Sequence, residues 1–203
     1  MSAIIPSPVL HRLALATLAP LAALLMMGMS SPPGEAGDSA SESARDDVPL
    51  MSDLENVEAD LEYMQEQQIP MLMFFHATYC TYCQTVDDEF LQPMARSEKY
   101  KGRLIIRRVE IDSPTPEIQW QGESWTPQEF ARLQGVQLVP EVIYFAPDGR
   151  QVVDELKGVT VPDFYPTYLD QRLRAAERCI EDPDLDVCTD GIDQPRRDLV
   201  NPE

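Results

Sequence analysis

Cys80-Thr81-Tyr82-Cys83 constrains this chain more than any other stretch. The apolar run Met71-Leu72-Met73-Phe74-Phe75 precedes it, and a segment that reads as helix to about Leu91 follows. Two cysteines at this spacing can close a disulfide over the first turn of a helix. There the positive end of the helix dipole and the unpaired backbone N–H groups favour a thiolate. Strand, C-x-x-C, helix is the order a dithiol redox site needs. A zinc site and a merely structural disulfide compete with that reading. Zinc needs a second close pair, and Cys179 and Cys188 are too far apart for a zinc knuckle. A structural role fits poorly because short C-x-x-C loops are readily reduced.

The rest of the chain gives the motif its setting. Ser52 and Glu55 have capping-box spacing, and Leu54, Val57, Leu61 and Met64 form an apolar face, so a helix is expected from Ser52 to Pro70. Met71 to Phe75 is a buried strand. The helix opened by Cys80 is expected to break or kink at Pro93. Leu104 to Ile111 is a strand with Arg107-Arg108 near its middle, and Asp112 to Ser124 is an insertion with two prolines and Trp120. Thr126-Pro127-Gln128-Glu129 opens a helix that ends at Gly135. Glu141 to Phe145 is a strand. Pro147-Asp148-Gly149-Arg150 turns it back onto a partner strand, Gln151 to Glu155. A last helix starts near Thr160, Pro162 and Asp163 and runs to about Ile180. Strands alternating with helices and closed by a hairpin imply an α/β fold, a mixed sheet of about four strands with helices on both faces.

Charge and hydropathy mark what lies outside that core. Lys and Arg total 16 against 35 Asp and Glu, a formal net charge of −19. Nucleic acid is thereby excluded as an expected partner, since phosphate binding needs a basic surface. Met1 to Arg12 is mildly basic, Leu13 to Met29 is apolar apart from Pro20, and Gly28 and Ser30 are small. That order is a secretory signal, or, given its length, a membrane anchor. The expected boundaries are 1–30 signal peptide or membrane anchor, 31–50 disordered linker, 51–180 folded domain and 181–203 acidic C-terminal tail. A periplasmic or other extracytoplasmic location follows from such a leader. In an oxidising compartment Cys179 and Cys188 are expected to form a structural disulfide. A second redox pair is the alternative. The nearby aspartates lack the glycine and terminal Glu of a calcium loop.

The C-x-x-C and its element order resemble the thioredoxin superfamily from about Ser52 to Ile180. Val139-Pro140, just before the strand Glu141 to Phe145, is a second marker. The resemblance implies that Pro140 is cis, that it packs against the active-site sulfurs, and that Val139 offers backbone hydrogen bonds to substrate. The insertion after Asp112, the capped helix from Thr126 and Leu156-Lys157-Gly158 are similar to exported thioredoxin-like proteins of bacterial sulfur-oxidation type. This sequence departs from thioredoxin in four places. The dipeptide is Thr-Tyr rather than Gly-Pro. Phe74 stands where thioredoxin has a buried Asp, and His76 where it has Trp. Glu141 follows the proline, where Thr is common.

The chemistry expected of these residues is thiol–disulfide exchange. Cys80 is the nucleophile and Cys83 resolves the mixed disulfide. A protonated His76 would favour the Cys80 thiolate and make the pair more oxidising, or the ring has no titrating role. Glu141 either takes the part of the missing Asp or points to solvent. Tyr79, Tyr82 and Trp125 are candidates for an apolar rim around a peptide, or plain packing. The expected protein is an exported monomeric oxidoreductase with no cofactor beyond its own disulfide and no metal. Its expected partners are a disulfide- or thiol-containing protein substrate and a membrane dithiol electron donor. Reduction of protein disulfides is the first expectation. A disulfide oxidase or isomerase and a redox-inactive binding module are the alternatives.

Overall fold

The computed structural model describes residues 48–185, Cys188 and 197–200. All of them fall in the second of two compact units, Ser39–Glu203. The expected leader, most of the linker, and residues 186–187, 189–196 and 201–203 of the tail lie outside the described residues.

Five strands form a mixed sheet. In chain order they are β1 (Met51–Asp53), β2 (Met71–His76), β3 (Ile105–Glu110), β6 (Glu141–Phe145) and β7 (Leu156–Lys157), and their spatial order is β1-β3-β2-β6-β7. The first three run parallel, and β6 is antiparallel to both its neighbours. A separate hairpin, β4 (Ile118–Trp120) and β5 (Glu123–Trp125), fills the insertion. The helices are α1 (Val57–Gln67), α2 (Thr81–Thr85), α3 (Gln92–Arg96), α4 (Pro127–Leu133) and α5 (Tyr165–Glu181).

Alternation along the central strand builds two cores. Leu72 and Phe74 join Cys83, Val86, Leu91, Tyr144, Leu169 and Leu173 on one face. Met71, Met73 and Phe75 join Val57, Leu61, Met64, Trp120 and Phe130 on the other. All five residues from Met71 to Phe75 are fully buried, as a strand covered on both faces requires. Strand β3 carries two arginines through this sheet. Arg107 is buried and grips Asp60 of α1 with contacts of 2.7–2.9 Å. Arg108, on the opposite face, reaches Asp53 at 2.9 Å and Asp87 at 3.4 Å.

Several local expectations are corrected. Ser52 does not cap a helix, because Met51–Asp53 pairs with β3 as an edge strand. Asn56 is the cap instead, its side chain accepting from the Ala59 N–H at 2.9 Å. Pro93 stands where the expected helix changes type rather than ends. The segment Val86–Leu91 widens into a π-helix before α3, and Pro93 sits in the first turn of α3. A π-turn absorbs the proline's missing donor without ending the helix. The strand paired with β6 is Leu156–Lys157, and Gln151 makes only an isolated bridge to Phe145. The cap at Thr126 forms as expected, with Glu129 closing the box.

The tail is not wholly solvated. Cys179 and Cys188 are bonded to each other and buried in the first core. Further on, Arg197–Val200 returns to the sheet, with Leu199 buried in the second core.

Candidate active site

The carboxyl end of β2 and the amino end of β6 meet because Phe75 is paired with Glu141 in antiparallel register. The chain leaving β2 therefore turns through Ala77–Cys80 beside the segment that enters β6 through Val139 and Pro140. The Val139–Pro140 peptide is cis, as is Thr115–Pro116. Gly158 donates its N–H to the Pro140 carbonyl at 2.8 Å, which brings the loop after β7 to the same place. Pro140 is buried, and Val139 is partly buried.

Cys80 caps α2, and Cys80 and Cys83 are joined in a disulfide. The Cys83 N–H donates to Cys80 Sγ at 3.1 Å. A backbone donor aimed at that sulfur, at a helix start, stabilises negative charge there once the bond is reduced. Cys80 is partly exposed, whereas Cys83 is 2% exposed and packs in the first core. The outer sulfur is thus open to attack and the inner one shielded. Tyr79 and Tyr82 are 74% and 64% exposed beside it, and Leu138, Val161 and Phe164 are also exposed. Trp125 is not placed with them. It packs on Trp120, with ring centroids 6.3 Å apart, and donates to the Trp120 carbonyl.

Phe74 fills the place beneath the motif and shares the Cys83 core. His76 lies on the same strand face and stacks on Phe74, centroids 5.1 Å apart at 12°. Its Nε2 is buried and has no partner among the described residues. Burial depresses the His76 pKa, against the opposing pull of Glu110 and Asp87, so the ring is neutral at neutral pH. The protonated form that would make the pair more oxidising is disfavoured.

Glu141 points to the opposite face of its strand from Val142 and Tyr144, which lie in the Cys83 core. It is fully buried rather than solvent-facing, and bonds Arg197 at 2.6 Å. Burial raises its pKa, partly offset by Arg197 and Lys157. The structure therefore pairs Glu141 with the C-terminal segment and not with Cys83.

One residue escaped the sequence reading. Asp112 accepts from the Thr78 N–H at 3.0 and 3.1 Å and bonds its hydroxyl, tethering the turn before Cys80 to the end of β3. Desolvation opposes its ionisation, yet the Thr78 hydrogen bonds outweigh this and lower its pKa. An Asp directly after a strand, with a Thr two residues before the C-x-x-C, was the available signal.

The sequence matches one known family over the residues that hold the site. The family described as thioredoxin-like matches residues 52–147. No curated protein matches the sequence. Among solved structures, thioredoxin O2 from Arabidopsis thaliana in its oxidised state is 17% identical, covers 61% of this chain and 94% of its own, and has a TM-score of 0.44. A thioredoxin from Thermus thermophilus is 21% identical, with 63% and 93% covered and a TM-score of 0.44. A protein described as DsbH oxidoreductase is 19% identical, with 63% and 88% covered and a TM-score of 0.43.

Proposed function

The domain that carries Cys80 and Cys83 belongs to the thioredoxin superfamily and is a thiol–disulfide oxidoreductase, and we propose that it works outside the cytoplasm as a reductase of protein disulfides. In the reduced enzyme the Cys80 thiolate attacks one sulfur of a substrate disulfide. A Cys80–substrate bond forms, the substrate's own S–S bond breaks, and the released thiolate takes a proton. Cys83 then loses its proton and attacks Cys80 Sγ. The Cys80–Cys83 disulfide forms, and the second substrate sulfur leaves as a thiolate. Two electrons pass from the enzyme to the substrate. A membrane dithiol donor returns them by the same exchange in reverse. The apolar leader Leu13–Met29 supports export and a membrane-side donor.

The observation that carries this reading is the asymmetry of the pair. A backbone N–H is aimed at Cys80 Sγ, which is reachable, while Cys83 is buried behind it. The reductive direction is supported by the neutral His76. With its ring neutral, His76 adds no positive charge to stabilise the Cys80 thiolate, which makes the pair less oxidising than a protonated ring would. The extended substrate segment would lie along Val139 and Pro140, flanked by Tyr79 and Tyr82.

Reduction of insulin with dithiothreitol as electron source tests the activity. Turnover is expected in the wild type and not in Cys80→Ser. Cys83→Ser, expressed in its native envelope, is expected to accumulate a mixed disulfide with the substrate protein. A wild-type chain that folds but gives no turnover overturns the reading.

A further inference from the structure

The segment Arg197–Val200 has no part in the exchange chemistry, yet both its backbone and its side chains are bonded to the domain. Its backbone is anchored twice. The Gln151 N–H donates to the Arg197 carbonyl at 2.8 Å, and the Leu199 N–H donates to the Gly149 carbonyl at 2.9 Å. Arg150 and Asp198 form an antiparallel bridge between them. Trp120 Nε1 donates to the Leu199 carbonyl at 2.7 Å, and the Leu199 side chain is 1% exposed. Gly149 has a φ of +85°, and a Cβ there would come within 2.8 Å of Val200, so the turn and the strap fit each other closely. These contacts hold the strap without help from the Arg197 side chain.

That side chain does something else. Its guanidinium donates to the Gln134 carbonyl, to Glu141 Oε1 at 2.6 Å, and to Gln151 Oε1 at 3.4 Å. Gln134 caps the C-terminus of α4 and Glu141 begins β6. One planar group thus ties the two ends of segment 135–140, which contains Leu138, Val139 and Pro140. A fork of fixed geometry is suited to such a task, since both ends are held by the same rigid plane. Glu141 is wholly buried, and the other charged groups that face it are Lys157 and Glu155. Removing the guanidinium leaves a buried carboxylate without its direct partner, which is costly unless the loop shifts or the acid takes up a proton.

We propose that Arg197 is a positioning residue for substrate binding: it clamps both ends of segment 135–140 so that Val139 and Pro140 meet the incoming peptide in a fixed place. The proposal rests on the exchange reading above and adds a device from outside residues 52–147 to its site. Binding is then weakened by release of the clamp, while the exchange chemistry of Cys80, on a different element, is untouched.

The test compares full-length chains carrying Arg197→Gln, Arg197→Lys and Leu199→Ala. Leu199→Ala weakens the strap's packing but removes no contact to Glu141. With an oxidised peptide as substrate, Arg197→Gln is expected to raise KM about tenfold with kcat within about twofold. Alkylation of reduced Cys80 by iodoacetamide should be unchanged. Arg197→Lys, a charge without the fork, should restore only part of the binding. Leu199→Ala should lower Tm and leave KM alone. Amide exchange across 135–142 should quicken in Arg197→Gln and not in Leu199→Ala. Wild-type KM and exchange in Arg197→Gln would overturn the clamp. So would an equal rise in KM in Leu199→Ala, which would make the effect one of stability alone. Absence of turnover in the wild type overturns the exchange reading instead, because the exchange-protection arm reports on the clamp without any catalysis.

Discussion

Cys80–Cys83 lies at a helix start where one sulfur is partly exposed, two tyrosines stand out in solvent, and a backbone N–H meets Cys80 Sγ. Cys179–Cys188 lies at the far end of α5, where both residues are at most 3% exposed among Val152, Leu173 and Ala176. Cys179 Sγ there meets the Val152 carbonyl at 3.7 Å, and Cys188 Sγ the Asp182 carbonyl at 3.8 Å. Thiol–disulfide exchange requires a thiolate to approach a sulfur, so access and local charge decide which bond is chemistry and which is architecture. The first pair has a donor for a thiolate and a path to it. The second is buried and faces backbone carbonyls.

Single substitutions should separate the two most sharply. Cys80→Ser is expected to abolish insulin reduction, a loss of at least about a thousandfold, because no other sulfur can form the first covalent bond. Its effect on Tm should be smaller than that of removing the second disulfide, since its closed loop is shorter. Cys179→Ser paired with Cys188→Ser should do the reverse. Closing a loop of this size is worth about 2–3 kcal/mol in the chain-entropy account. The double variant should unfold at correspondingly lower denaturant and keep its turnover. If it lost turnover while still folded, the second pair would be part of the electron path and the comparison would fail.

Selective reduction sharpens the same point in the wild type. Brief low dithiothreitol followed by alkylation and mass spectrometry should label Cys80 and Cys83 and leave Cys179 and Cys188 bonded. Labelling of the second pair should appear only with denaturant, when the core opens. Equal labelling of all four under native conditions would contradict the burial argument.

The redox half of this contrast was legible in the chain. Strand, C-x-x-C and helix follow from an apolar run, two cysteines and a helical segment, and Val139-Pro140 marked the facing loop. Thr126 and Glu129 announced their cap by spacing alone. What was not legible depended on partners distant in sequence. Ser52 reads as a cap until β3 is present to pair with it. Pro93 reads as a breaker until a π-turn removes the need for its N–H. Glu141 was ambiguous between relay and solvent because its partner, Arg197, lies 56 residues away in what reads as an acidic tail. The second disulfide was expected as structural, but its burial against Val152 required the sheet.

Acid should probe the segment that carries Val152 against the second disulfide. Glu155 lies in the 151–157 stretch, where the Val152 carbonyl meets Cys179 Sγ and both Gln151 and Glu155 meet Arg197. Burial pushes its pKa up, but Lys157, Gln151 and Arg197 outweigh this and bring it from 4.5 to about 2. A depressed folded-state pKa means stability that is fully present above pH 4.5 and is lost as pH falls toward 2. Denaturant melts of wild type and Glu155→Gln should therefore differ at neutral pH and converge as the pH drops through that window. A constant difference down to pH 2 would remove Glu155 from the linkage.

The smallest expected effect concerns His76, and it tests whether the exposed pair owes its reactivity to the helix start alone. Its ring is neutral because burial lowers its pKa more than Glu110 and Asp87 raise it. A neutral imidazole contributes little field at Cys80 Sγ, whereas the Cys83 N–H lies 3.1 Å from that sulfur. Replacing His76 by Phe keeps the stacking on Phe74 and removes the titratable nitrogen. The Cys80 pKa, read from the pH dependence of iodoacetamide alkylation, should then move by less than about half a unit near neutrality. A larger rise would mean that the ring is protonated when Cys80 is a thiolate. In that case the reactivity of the exposed disulfide would come from a charged neighbour on β2 as well as from the N–H of α2.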